Sequence, residues 1–202
     1  MNPTELAMHP ASVALYGGSF DPVHRAHLQV ARSALANLDL QQVIFIPAAQ
    51  SPLKTTATVA SDADRVSMLR LATADEARFF VDTCELQRGG TSYTIDTVMN
   101  FRAQWPNCQL HWIIGADQFE CLHRWHRIED IVSMLHFIVL QRPGHSIAES
   151  KVPGLKYTEV QAPLMTHSSS EIRFLLKQGR ATEDLLPPAV EAFISSHGLY
   201  TQ

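Results

Sequence analysis

Two short segments near opposite ends of the chain carry residue types suited to holding polyphosphate. The first is Gly17-Gly18-Ser19-Phe20-Asp21-Pro22-Val23-His24-Arg25-Ala26-His27, and the second is Ser168-Ser169-Ser170-Glu171-Ile172-Arg173. Each reads as a loop opening onto a helix N-terminus, where unsatisfied backbone N–H groups and the helix dipole favour anions. His24 and His27 add two imidazoles at a three-residue spacing, on one side of the opening turns. Such rings donate to phosphate oxygens, and an anion readily holds them protonated. The second segment adds three hydroxyls and the Arg173 guanidinium. Together the two describe a polyphosphate clamp.

The local grammar of both segments is that of a helix start. Gly17 and Gly18 permit backbone conformations that bring N–H groups close to a ligand. Asp21-Pro22 reads as an Asx cap followed by proline at the first helical position. Ser168-x-x-Glu171 is a capping-box pattern, with Gly179 a natural helix end. Ile172, Leu175 and Leu176 are then expected on the core side. Arg173 in a first turn opposes the usual preference for acidic residues there, which points to an incoming anion. Neither segment is the dinucleotide fingerprint Gly-x-Gly-x-x-Gly or a Walker loop.

The elements that must position these segments alternate between strand and helix. Val13–Tyr16, Val43–Ile46, Phe79–Val81, Leu110–Ile114 and Phe137–Leu140 are short apolar runs without clean alternation, as in strands buried on both faces. Between them, Val23, Ala26, Val30, Ala31, Ala34, Leu35 and Leu38 recur at helical steps. Asp62–Glu76, with Val66, Leu69 and Ala72/Thr73 apolar, and Ile95–Arg102 read as further helices. Strands spaced by helices imply right-handed crossovers and a parallel sheet. The expected fold is therefore α/β: a Rossmann-like, doubly wound parallel sheet with helices on both faces. One domain would span residues 1–202, with residues 1–11 flexible and residues 166–202 forming a small C-terminal helical part. Met1–Pro10 and Pro143–Gly154 are the expected mobile stretches. Sites in such sheets lie beyond the carboxyl ends of the strands. The loops at Gly17, Pro47, Gly115 and Arg142 should thus gather on one edge.

Composition narrows the setting. A chain of 202 residues with 46% apolar and 18% charged residues fits one globular domain. A formal net charge of −4 offers no long-range attraction for nucleic acid, so any anion site is built locally. No stretch is apolar enough for a membrane span, and Met1–Pro10 lacks a signal-peptide pattern. Cys84, Cys108 and Cys121 form no Cys-x-x-Cys pair, and a reducing, cytoplasmic setting is expected. Cys121-x-His123-x-x-His126 has no second ligand pair to complete a structural zinc site.

The first segment resembles the Gly-Gly-Thr-Phe-Asp-Pro-x-His-x-Gly-His signature of a nucleotidyltransferase superfamily, with Ser19 for threonine and Ala26 for glycine. The second is similar to its Ile-Ser-Ser-Thr-x-Ile-Arg motif, with His167 for isoleucine and Ser170 for threonine. Ser92-Tyr93-Thr94 with Thr97, Ile113-Ile114-Gly115-Ala116-Asp117 leading to Trp125, and Gln141-Arg142-Pro143-Gly144 resemble segments of the bacterial nicotinate-nucleotide adenylyltransferase family. So does the close, Leu185-Leu186-Pro187 to Leu199-Tyr200. His126 stands where that family often has tyrosine, and Lys54 follows Ser51-Pro52-Leu53 where it often shows Pro-Pro-His-Lys. The likeness runs from about Val13 to Tyr200.

The resemblance implies adenylyl transfer from ATP to nicotinate mononucleotide, in NAD biosynthesis. His24, His27, Arg173 and Lys54 would be catalytic. Gly17, Gly18, Ser19, Phe20, His24, His27, Gly115, Asp117, Ser168, Ser169, Ser170 and Arg173 would hold ATP. Ser19, Lys54, Tyr93, Thr94, Trp125 and Arg142 would hold the mononucleotide. Trp125 can stack on a pyridine ring, and the helix opening near Thr94 can offer N–H groups to its carboxylate. Asp117 could accept from ribose hydroxyls or help hold metal. Mg²⁺ would come on the ATP phosphates, with no protein metal site. The partners would be small molecules rather than nucleic acid or membrane, the protein a monomer or homodimer. Nicotinamide mononucleotide or phosphopantetheine as acceptor, or a non-catalytic nucleotide-binding module, are the competing readings.

Overall fold

A computed structural model describes residues 10–53, 57–141, 150–161 and 167–201. Lys54, Arg142, and the whole of residues 1–9 and 143–149 lie outside them. The described residues build a six-stranded sheet of β1 (Ser12–Gly18), β2 (Gln42–Pro47), β3 (Phe79–Val81), β4 (Gln109–Gly115), β5 (His136–Gln141) and β6 (Tyr157–Gln161). Its order is β3-β2-β1-β4-β5-β6, and every pairing is parallel. The order reverses between β1 and β4, and a crevice opens at such a switch point.

Burial on both faces explains the near-continuous apolar strands: all six residues of β2 are buried. Alternate side chains feed two cores. Ala14, Val43, Phe45, Ile113 and Ile138 meet α1 (Arg25–Asn37), α2 (Asp62–Thr73), α7 (Ser169–Lys177) and α8 (Pro188–Ser196). Val13, Leu15, Ile44, Trp112 and Val139 meet α4 (Thr94–Gln104), α5 (Ala116–Glu120) and α6 (Ile128–Met134). Each fully buried Leu, Ile or Phe contributes on the order of 2 kcal/mol of apolar burial. The helices therefore dock because their stripes are covered.

Three readings of the sequence change. Strand β6 has no apolar run, because it is an edge on which only Val160 is buried. On α2 the buried face carries Arg65, Met68, Leu69 and Thr73, while Val66 is only half-buried. On α7, Ile172 is buried as expected, but Leu175 and Leu176 are only half-buried. No helix of the described residues is long and apolar enough to cross a membrane.

Candidate active site

Strand β1 delivers Gly17 and Gly18 to the carboxyl edge of the sheet, beside the end of β4. Neither glycine has a positive φ. They are needed for space instead: a Cβ on Gly17 would lie 2.7 Å from the Trp112 ring, and one on Gly18 would lie 3.0 Å from Phe20. The backbone turns at Phe20, which is buried with φ 47°.

Asp21 is not the helix cap. Its carboxylate accepts from the N–H groups of Val59 and Ala60 at 2.8 and 3.0 Å and from the Tyr200 hydroxyl at 2.8 Å. With Asp21 committed to these distant partners, α1 starts at Arg25 and His24 takes the N-cap position. The His24 N–H donates to His27 Nδ1 at 3.2 Å, and the two ring centroids are 3.8 Å apart. Because Nδ1 accepts, the neutral His27 ring carries its proton on Nε2. His24 is buried, and desolvation together with nearby His167 lowers its pKa to about 4. It is therefore neutral at pH 7 before any anion arrives.

The second segment docks on the first. Ser168 caps α7 through a reciprocal pair with Glu171: its N–H donates to the carboxylate at 2.6 Å and its hydroxyl accepts from Glu171 N–H at 3.3 Å. Ser169 Oγ donates to the Pro22 carbonyl at 3.0 Å. Arg173 falls in the second turn of α7, not the first, and donates to the Asp21 carbonyl at 2.7 Å and to Ser170 Oγ at 3.2 Å. Its guanidinium also lies 3.7 Å from the Asp21 carboxylate.

A cavity of about 770 Å³ opens at the switch point, well within the size range of ligand sites. One side is formed by Gly17, Gly18, Ser19, Phe20, His24 and His27, with His167 and Ser169 across from them. The lining also includes an aromatic and polar set, Ser92, Tyr93, Thr94, Trp125 and His126, together with Gly115, Asp117 and Trp112, whose ring lies against Gly17. Twelve of the expected site residues line the space: Gly17, Gly18, Ser19, Phe20, His24, His27, Tyr93, Thr94, Gly115, Asp117, Trp125 and Ser169, whereas Ser168, Ser170 and Arg173 are not part of its lining. A Cβ on Gly115 would come within 2.6 Å of Asp117 Oδ1, so glycine there lets the carboxylate fold back over the strand end. The rings of Tyr93 and His126 lie 4.7 Å apart and those of Trp112 and Trp125 6.5 Å apart, edge to face. His126 thereby completes an aromatic rim. Among the described residues nothing accepts from the buried Trp125 indole N–H.

Two buried charges escaped the sequence reading. Arg65 is fully buried and donates to the carbonyls of Ser19 at 2.7 Å and Ala48 at 2.8 Å, and to the exposed Asp62 carboxylate at 2.6 Å. It ties the loops after β1 and β2 together from below. The only hint was a lone charge on the apolar stripe of a helix. Glu85, on the short helix α3 (Cys84–Arg88), is 3% exposed and also lines the cavity. Among the described residues no three of His, Cys, Asp or Glu gather as a metal centre.

The comparisons agree with this geometry. A family profile described as cytidylyltransferase-like matches residues 15–174. A protein of Opitutus terrae named "Probable nicotinate-nucleotide adenylyltransferase" is 41% identical over 93% of this chain and 97% of its own length. One of the same name from Geobacillus kaustophilus is 39% identical over 93% of this chain and 85% of its own. In fold, the chain is similar to the solved nicotinic acid mononucleotide adenylyltransferase of Plasmodium falciparum complexed with NaAD. The TM-score is 0.78 at 22% identity, over 94% of this chain and 97% of that one. On this identity and coverage, the chain belongs to the cytidylyltransferase-like family, among the nicotinate-nucleotide adenylyltransferases.

Proposed function

We propose that this protein transfers the adenylyl group of ATP to nicotinate mononucleotide, forming deamido-NAD and pyrophosphate in NAD biosynthesis. The observation that carries the reading is one cavity lined by two chemically distinct sets of groups. The glycine-rich loop with its paired imidazoles forms one set, and Tyr93, Trp125 and His126 form the other. A dinucleotide product has the same division, phosphates beside a flat ring.

The mononucleotide phosphate oxygen attacks the α-phosphorus of ATP in line. The bond from that phosphorus to the bridging oxygen breaks, and pyrophosphate leaves with the electron pair. The nucleophile is already an anion, so no general base is required, and catalysis is positioning plus charge stabilisation. His27 donates from Nε2 to the α-phosphoryl group. His24 gains a proton as the polyphosphate anion offsets its desolvation, and then adds positive charge. Gly17, Gly18, Ser19 and Phe20 bring backbone to the phosphates, and Asp117 accepts from ribose hydroxyls. Ser168, Ser169 and Ser170, with Arg173, hold the second phosphate loop in place, and Arg173 with Lys54 steadies the departing pyrophosphate. Trp125 stacks on the pyridine, while Tyr93 and Thr94 present the opening of α4 to its carboxylate; Arg142 is assigned to the mononucleotide by its match to the family motif.

Mg²⁺ would arrive with ATP. Of the described lining residues only Glu85 and Asp117 are acidic, which fits an ion held chiefly by phosphates and water. When bound, it neutralises the charge on the β- and γ-phosphates. The protein acts in the cytoplasm, as a monomer or homodimer, without nucleic acid.

Pyrophosphate release is the test, with Mg-ATP and either nicotinate mononucleotide, nicotinamide mononucleotide or phosphopantetheine. A preference for the acid over the amide of about tenfold, roughly 1.4 kcal/mol at the transition state, supports the reading. Equal use of acid and amide would overturn the specificity, and silence with all three would leave only a nucleotide-binding module.

A further inference from the structure

Glu85 is a buried acid lining the cavity, on a helix that carries none of the matched motifs. Thr97 Oγ1 donates to its Oε1 at 2.6 Å, and the Ser92 hydroxyl is close enough to favour its charged form. Arg88 reaches Thr97 Oγ1 from behind at 3.3 Å. Ser92 and Thr97 flank the start of α4, whose N-cap Tyr93 makes no side-chain cap. One carboxyl group therefore holds the first turns of that helix and sits beside its lead-in.

The grip extends across the cavity mouth. Ser92 Oγ also accepts from the Ala49 N–H at 2.9 Å, and Ser92 N–H donates to the Gln50 carbonyl at 2.8 Å. Gln50 and Thr91 form a parallel bridge. The segment after β2, which leads to Lys54, is thus sewn to the segment that opens α4. A buried carboxyl is expensive unless fully hydrogen-bonded, and an apolar residue would generally be the more stable filler. Burial indeed pushes the Glu85 carboxyl above its ordinary range, against the pull of Thr97, Ser92 and Arg88. What such a network secures is a fixed geometry.

We infer that Glu85 is a positioning residue for the mononucleotide. Acting through Thr97 and alongside Ser92, which is itself bonded to Ala49 and Gln50, it fixes the N–H groups at the start of α4 beside the segment after β2. The inference rests on the acceptor reading above. It predicts an effect confined to the acceptor, because the ATP phosphates meet the β1 loop and α1 rather than α4.

The experiment compares steady-state kinetics of the wild type with Glu85→Gln, Thr97→Val and Thr97→Ser, varying ATP and nicotinate mononucleotide separately. Glu85→Gln and Thr97→Val should raise KM for the mononucleotide about tenfold or more, the usual scale for breaking a charge-assisted buried hydrogen bond. KM for ATP should move by less than about twofold. Thr97→Ser keeps the hydroxyl and should behave as the wild type. Should Glu85→Gln not fold, the two Thr97 variants decide. Equal changes in both KM values, or a loss of folded protein with unchanged kinetics per folded molecule, would overturn the positioning role. A wild type silent with both acid and amide would overturn the acceptor reading and this inference with it.

Discussion

Arg173 Nη1 donates to the backbone carbonyl of Asp21 at 2.7 Å across 152 residues of sequence. The arginine of the second motif is thus anchored on the loop of the first, and Ser169 repeats the link through the Pro22 carbonyl. Asp21 is the common node, since its carboxylate also holds Val59, Ala60 and Tyr200. The two phosphate motifs form one rigid unit through this residue.

Tyr200→Phe tests that node. It removes a hydroxyl donor to a buried carboxylate while keeping the ring in place. A hydrogen bond to a charged group is worth about 1.5–3 kcal/mol, and urea unfolding should register a loss of that size. Burial and the Asp21 carboxylate both raise the Tyr200 pKa, so the phenol remains a donor throughout the working range. An unchanged unfolding midpoint would mean that the C-terminus does not brace the loop.

His27→Ala removes the ring that accepts from the His24 N–H and donates toward the reacting phosphate. Turnover should fall ~10²–10³-fold, the usual cost of one transition-state donor, with the circular dichroism spectrum preserved. Turnover within a few-fold of the wild type would remove His27 from the catalytic set.

His24 sets a pH dependence of known sign. Its folded pKa of about 4 lies below the ordinary 6.5, so the unfolded chain binds a proton first. Stability is fully present above pH 6.5 and is lost as pH falls from there toward 4. His111 and His136, both lowered by burial, act in the same direction. His24→Asn should remove ~3 kcal/mol of the stability change across that window, as read by thermal unfolding at pH values between 6.5 and 4. ATP binding near pH 6 should also take up a proton, seen by calorimetry in buffers of different ionisation enthalpy.

Arg65→Met strands the Ser19 and Ala48 carbonyls beneath the phosphate loop. The expected cost is about 2–4 kcal/mol in chemical unfolding. Asp62→Asn removes only the exposed partner and should cost less than about 1 kcal/mol. Similar losses from the two would mean that the ion pair, and not the carbonyl contacts, fixes the arginine.

Much of the scaffold was legible because its signals are local. Five apolar runs became five parallel strands, Phe79–Val81 with unchanged bounds and the other four extended by a residue or two, since a strand covered on both faces needs apolar residues at successive positions. Strand β6 was not legible, because an edge covered on one side leaves Tyr157, Glu159 and Gln161 free to be polar. The capping box of Ser168 and Glu171 was also legible, as a contact between residues three apart. Asp21 shows the limit. Its Asx-Pro context predicted a cap, but its carboxylate found partners 38, 39 and 179 residues away.

The sequence by itself determined the alternation of strands and helices, the two loops at the carboxyl edge of the sheet and the residue types available there. Each follows from spacing over a few residues. Only the tertiary structure decided which groups face the cavity and which brace it. Arg173 is tied to the Asp21 carbonyl and to Ser170, Arg65 is buried and bonded to the Ser19 carbonyl, and Glu85 accepts from Thr97 near the start of α4. A buried charge survives only where distant segments supply its hydrogen-bonding partners, and that supply has no period to read along the chain.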